Sequence, residues 1–134
     1  MRFSDIIGLN DTKKHLIASA QRNHVAHAQL FSGVEGSALF PMALAFATYL
    51  NCENPSDEDA CGECSSCSKS LKYIHPDIHF VFPVTATDKI TGKDVVSKSY
   101  LPVWRSFILE NPYGNGVDWA HSFGGENKQL NIIL

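Results

Sequence analysis

Four cysteines, the chain's full complement, fall within sixteen residues as Cys52-x8-Cys61-x2-Cys64-x2-Cys67. Two overlapping C-x2-C knuckles with a fourth thiol upstream match the ligand set of a tetrahedral four-thiolate zinc site, closed on all sides by protein. A tight turn aims both sulfurs of a C-x2-C pair at one ion, and Gly62 inside the first knuckle bends easily. Two disulfides are the other chemistry open to four thiols. Against them, Met1-Arg2-Phe3-Ser4-Asp5 has neither the apolar run nor the small-residue cleavage site of a secretion signal, so nothing points to an oxidising compartment. The expectation is structural Zn2+ held by Cys52, Cys61, Cys64 and Cys67, with no thiol left over for catalysis.

A second stretch invites phosphate chemistry. Nucleotide-binding loops of the form G-x4-G-K-[ST] surround phosphates with amides and a helix N-terminus, while lysine neutralises charge and a hydroxyl binds magnesium. Laid on this sequence from Gly33, the pattern meets Gly36, then Ala38 for the second glycine, Leu39 for the lysine and Phe40 for the hydroxyl. Leu39 supplies no counter-charge, Phe40 cannot bind a hard cation and Glu35 repels phosphate. Charge-assisted contacts contribute about 1.5–3 kcal/mol each, so losing lysine and metal site together removes productive nucleotide binding. No ATP or Mg2+ is expected at Gly33, Gly36, Ala38, Leu39 and Phe40, and no catalytic residue is assigned. On spacing alone, the two glycines equally well make a plain strand-to-helix turn.

The histidines His15, His24, His27, His75, His79 and His121 read as surface or hydrogen-bonded groups, since four thiolates already satisfy zinc. His75-Pro76-Asp77 reads as a structural turn, because proline imposes an extended or turned backbone. Glu53, Asp57, Glu58, Asp59 and Glu63 crowd the cysteines against only Lys69 and Lys72 downstream, so phosphate is repelled and the module favours stability or protein contact over nucleic acid.

The elements that must position these residues follow from periodicity. Asn10 is the expected N-cap of a first helix fading near Asn23, with Leu16, Ile17 and Ala20 on one side. Residues 28–32 read as a short strand, residues 37–51 as an apolar, buried helix with Pro41 in its first turn, and residues 68–73 as a short helix. Residues 78–82 read as a strong strand, giving an α/β domain with a parallel sheet. Residues 84–98 read as mostly polar loop. Tyr100, Leu101, Val103, Trp104, Phe107 and Ile108 recur at helical spacing, a stripe expected to pack on the core, and Asn111-Pro112 ends it. Residues 113–125 carry four glycines and read as loop with one helical turn around Trp119.

At 134 residues, 44% hydrophobic and 19% charged, the chain is about one folded domain's worth. A net charge of -3 leaves no basic footprint for nucleic acid. Residues 38–50, interrupted by Pro41 and Thr48, are too short to span a bilayer. The apolar end Leu130-Asn131-Ile132-Ile133-Leu134 suggests a piece of a longer protein.

Phe3-Ser4-Asp5-Ile6-Ile7-Gly8, then His27-Ala28-Gln29-Leu30-Phe31-Ser32-Gly33, Leu50-Asn51-Cys52, Cys61-Gly62-Glu63-Cys64-Ser65-Ser66-Cys67 and His75-Pro76-Asp77 occur in an order that resembles the bacterial DNA polymerase III clamp-loader family, over about the first eighty residues. The resemblance implies an α/β P-loop NTPase-like (AAA+) fold, a three-layer parallel sheet with an inserted four-cysteine zinc module at about 51–68. It further implies a truncated domain over 1–134, with a lineage-specific insertion at about 84–125. ATPase subunits of the family, gamma/tau, keep the full phosphate loop, whereas delta prime subunits typically carry a damaged one, so Ala38, Leu39 and Phe40 resemble the latter. Such a subunit is a non-hydrolysing scaffold in the bacterial cytoplasm, partnered by gamma/tau and delta, and meeting the sliding clamp and primed DNA through the assembled ring. The family's arginine-finger motif, serine-arginine-cysteine, and its Walker B strand are not found in this sequence. The alternatives are a gamma/tau-type ATPase and a stand-alone zinc-binding interaction domain.

Overall fold

The first apolar stripe folds as α1 (Asn10–Gln21), burying Leu16 and Ile17. Leu9 rather than Asn10 is its N-cap, in the left-handed region with φ 54°, and Asn10 is the first helical residue. The alanine-rich run forms α2 (Leu39–Leu50), with seven buried residues from Pro41 to Tyr49. Pro41 is the third helical residue, where its missing N–H breaks no intrahelical bond. Next comes α3 (Ser65–Ser70), three residues earlier than its sequence suggests. The computed structural model describes residues 1–132, so Ile133 and Leu134 of the apolar C-terminal run lie outside the described residues.

The chain divides into two compact units, the first Met1–Ile78 and the second starting at His79. In the first, Phe3, Ile6, Leu16, Ile17, Met42, Phe46 and Tyr49 form one buried cluster, to which the fully buried Cys67 also belongs. Phe3 comes from a short 3-10 turn, Phe3–Asp5, and its ring lies 5.9 Å from that of Tyr49. The remaining cysteines pack against the same cluster, so the cysteine segment extends the core rather than hanging from it.

In the second unit, 3-10 turns at Gly92–Asp94 and Ser97–Tyr100 lead into α4 (Leu101–Glu110), followed by α5 (Gly116–Phe123). Phe82 stacks on Trp104 with ring centroids 4.2 Å apart, and Trp119 meets both edge-on at 5.1 and 4.9 Å. Tyr100 and Phe107 are buried with them. The aromatic stripe is a packed face, as its spacing suggests. α5 is a full helix, longer than the single turn expected around Trp119. Asn115 Oδ1 accepts the Val117 and Asp118 N–H groups, Asp118 answers onto Asn115 N, and Gly124 closes the helix at φ 77°.

The expected three-layer parallel sheet is absent from the described residues. Residues 29–34 and 78–83 are irregular, and the only pairing among the described residues is an isolated antiparallel bridge, Val84 to Asn131. Extended segments become strands only when a neighbouring backbone takes up their N–H and C=O groups. Around residues 82–85 side chains do this instead. Ser97 Oγ accepts from Phe82 N at 3.2 Å and donates to Phe82 O at 2.9 Å, Trp119 Nε1 donates to Pro83 O, and Tyr100 OH donates to Thr85 O. In residues 28–32, Leu30 stands 91% exposed with no sheet face to cover it. No helix among the described residues is long and apolar enough to cross a membrane.

Candidate metal centre

The C-terminus of α2 delivers the first cysteine. Asn51 caps the helix, its amide donating to Ala47 O, and Cys52 follows directly. The return loop is a side-chain turn in which Ser56 Oγ accepts from Glu58 N and Asp59 N, while Tyr49 OH donates to Ser56 O. Asp59 ties this loop to the N-terminal turn, its carboxylate accepting from Phe3 N at 3.0 Å, Ser4 N at 2.8 Å and Ala60 N at 2.8 Å. Gly62 then takes φ +80°, and a Cβ there would lie 2.9 Å from Arg2 Nη1, so the Arg2 guanidinium rests over the knuckle.

The four sulfurs all lie within 4.8 Å of one another, with Cys61 and Cys67 Sγ 3.9 Å apart. Four sulfurs about 2.3 Å from a shared ion stand about 3.8 Å apart at the corners of a tetrahedron, whereas a disulfide needs about 2.05 Å. None of the four is disulfide-bonded. Among the described residues this is the only group of three or more candidate ligands, and it includes no histidine.

Backbone amides thread the site. Cys61 N donates to Cys52 Sγ at 3.3 Å, Cys64 N to Cys61 Sγ at 3.4 Å, and Cys67 N to Cys64 Sγ at 3.3 Å. The last bond makes Cys64 the N-cap of α3. Amides of Cys64 and Glu63 bring the Cys61 thiol down to about 6, favouring thiolate, while burial pushes Cys52 and Cys67 up. A cation is what lets buried sulfurs of this kind carry charge together. The dimensions, the donor set and the N–H···S bonds fit a closed tetrahedral metal ion.

The loop at Gly33 is built differently from a phosphate cradle. α2 starts at Leu39 with Ala38 as an N-cap that makes no side-chain bond. Leu39 folds back so that its Cδ2 lies 3.0 Å from where a Cβ on Gly33 would stand. Gly36 sits at φ +78° in the turn. A cavity of about 720 Å³ opens beside the loop, between α1, residues 24–34 and the start of α2, with Leu9, Leu30, Val34, Leu39 and Met42 among its walls. His15 and His24 also line it, but no lysine, arginine or carboxylate among the described residues does. Phe40 lies in the first turn of α2.

Sequence reasoning brought the four cysteines together correctly but missed their supports. Asp59 and Arg2 reach the cysteine segment across gaps that no local pattern announces. The run of acids around the knuckles drew attention to Asp59 and Glu53 only as charge that repels phosphate and favours stability or protein contact, not as acceptors for particular amides.

The sequence profile of the family described as DNA polymerase III, delta subunit, matches residues 8–112, most of the chain. The chain belongs to that family. It is 35% identical over 66 residues to the DNA polymerase III subunit tau of Bacillus subtilis (strain 168), covering 49% of this chain and 12% of that protein. It is 31% identical over 81 residues to the subunit delta' of Escherichia coli (strain K12), covering 60% of this chain and 24% of that protein. The delta' subunit of Pseudomonas aeruginosa is 35% identical over 65 residues, with 48% and 20% covered. The chain thus spans less than a quarter of these relatives' length. Tau and delta' subunits both match, so identity alone does not separate the two types. No solved structure matches the chain.

Proposed function

We propose that the chain is the N-terminal part of a delta prime-type subunit of the bacterial DNA polymerase III clamp loader. It acts as a scaffold in a ring with gamma/tau and delta subunits that loads the sliding clamp onto primed DNA in the cytoplasm. The observation that carries this reading is Leu39 packed over Gly33, with Ala38 and Phe40 beside it. An apolar side chain occupies the approach a triphosphate needs, and no cation in the loop replaces the missing lysine. The subunit on this reading neither binds nor hydrolyses ATP by itself.

The four cysteines hold a structural Zn2+ in a module spanning about 51–68. When bound, the ion crosslinks the end of α2 to α3 and neutralises the buried thiolates. Residues 1–134 form a truncated AAA+ domain, with an insertion at about 84–125. The tau match favours a second reading, a gamma/tau-type ATPase. Equilibrium dialysis of the full-length protein with labelled ATP and Mg2+ separates the two: no saturable uptake is expected, and saturable uptake would overturn the scaffold reading. Co-purification with the tau and delta subunits is expected, and its failure would leave a free-standing zinc-binding domain.

A further inference from the structure

Ser66 stands between the third and fourth cysteines, and both its polar groups are held from outside its helix. Its N–H donates to Glu53 Oε1 at 3.1 Å, and its hydroxyl meets His75 Nε2 at 2.8 Å. Ser66 is 8% exposed and the His75 side chain 9%, so water competes poorly for the second bond. His75 Nδ1 accepts the Asp77 N–H at 3.2 Å, which assigns the ring proton to Nε2 and makes the imidazole the donor to Ser66 Oγ. Ser66, His75 and Asp77 therefore do not make a nucleophilic triad. The nitrogen facing the hydroxyl already carries its proton, and the Asp77 carboxylate is 4.0 Å from Nδ1.

α3 has six residues, four of them serine, too short and too poor in helix formers to set its own register. Its register decides where Cys67 points. We propose that His75, acting with Glu53 through Ser66, is a positioning residue for the metal centre: it locks the turn that aims the buried Cys67 sulfur at the ion. This rests on the four-cysteine cluster being a metal site.

The test is titration of the full chain with Co2+ against a competing chelator, read by the absorption bands that report four-thiolate tetrahedral coordination. H75A is expected to weaken Co2+ binding about 10–100-fold while the bound spectrum keeps its four-thiolate form. H75Q, whose amide can donate to Ser66 Oγ, is expected to recover most of that loss. S66A combined with H75A is expected to bind no more weakly than H75A alone, because both remove one bond. H75A binding within about twofold of wild type, H75Q failing as badly as H75A, or additive losses in the double variant would overturn the proposal. A wild-type chain that takes up no Co2+ would bring down the metal reading itself, and this proposal with it, whatever the variants do.

Discussion

Asp59→Ala should release the N-terminal turn from the cysteine loop. Three N–H groups converge on this carboxylate: Phe3 and Ala60 on Oδ1, Ser4 on Oδ2. Phe3 is 2% exposed, so its donor cannot readily turn to water once the acceptor is gone. A bond to a charged group contributes about 1.5–3 kcal/mol, and the local Ala60 bond about 0.5–1.5 kcal/mol. Ser4 is exposed and finds water at little cost. The sum is a loss of about 2–4.5 kcal/mol from the first unit. Asp59→Asn retains Oδ1, and with it the Phe3 and Ala60 bonds, so it should lose only about 1 kcal/mol. Both tryptophans lie in the second unit, at 104 and 119, so their emission is the wrong reporter. Amide exchange along α2, converted to a free energy of opening, is the right one. An Asp59→Ala protein within about 0.5 kcal/mol of wild type, or the two variants equal, would refute this account of the loop.

Removing the metal with a chelator should dissolve the first unit's cooperative melting transition, since such sites supply about 10–16 kcal/mol against a typical stability of about 5–15 kcal/mol. An unchanged far-UV melting curve would count against a structural role for the four cysteines. Gly62→Ala must hold φ +80°, and should lower stability by about 1–2 kcal/mol in a thermal melt. Gly62→Asn should lose less, because asparagine tolerates that conformation. The Arg2 guanidinium, a flexible chain end, can move aside in either case. Trp119→Ala removes a 2%-exposed ring that touches Phe82, Trp104, Phe107 and Phe123. It should destabilise the second unit by about 3–5 kcal/mol, visible as a red shift of the remaining Trp104 emission and an earlier urea midpoint.

The sequence by itself determined the helices whose faces are coded locally and the four-sulfur cluster. Leu16 and Ile17 of α1, the apolar run of α2 and the Tyr100–Phe107 stripe each state a period that needs no distant information. Cysteine spacing restricts where short knuckles can aim their sulfurs. The α5 signal was also present, in Asn115 and Asp118 three residues apart and Gly124 after the last turn, but the glycines around it masked the cap. Tertiary structure decided the rest. The α3 boundary moved because the Cys64 sulfur caps it, and that sulfur's direction depends on the whole knuckle. Residues 28–32 and 78–82 carry strand-like side chains, yet a ladder requires a second backbone, and here Ser97, Tyr100 and Trp119 take the bonds around residues 82–85 instead. Asp59 reaches Phe3 across fifty-six positions, and His75 reaches Ser66 across nine. Hydrogen bonds of that span depend on how the chain closes, so they become visible only once it has folded.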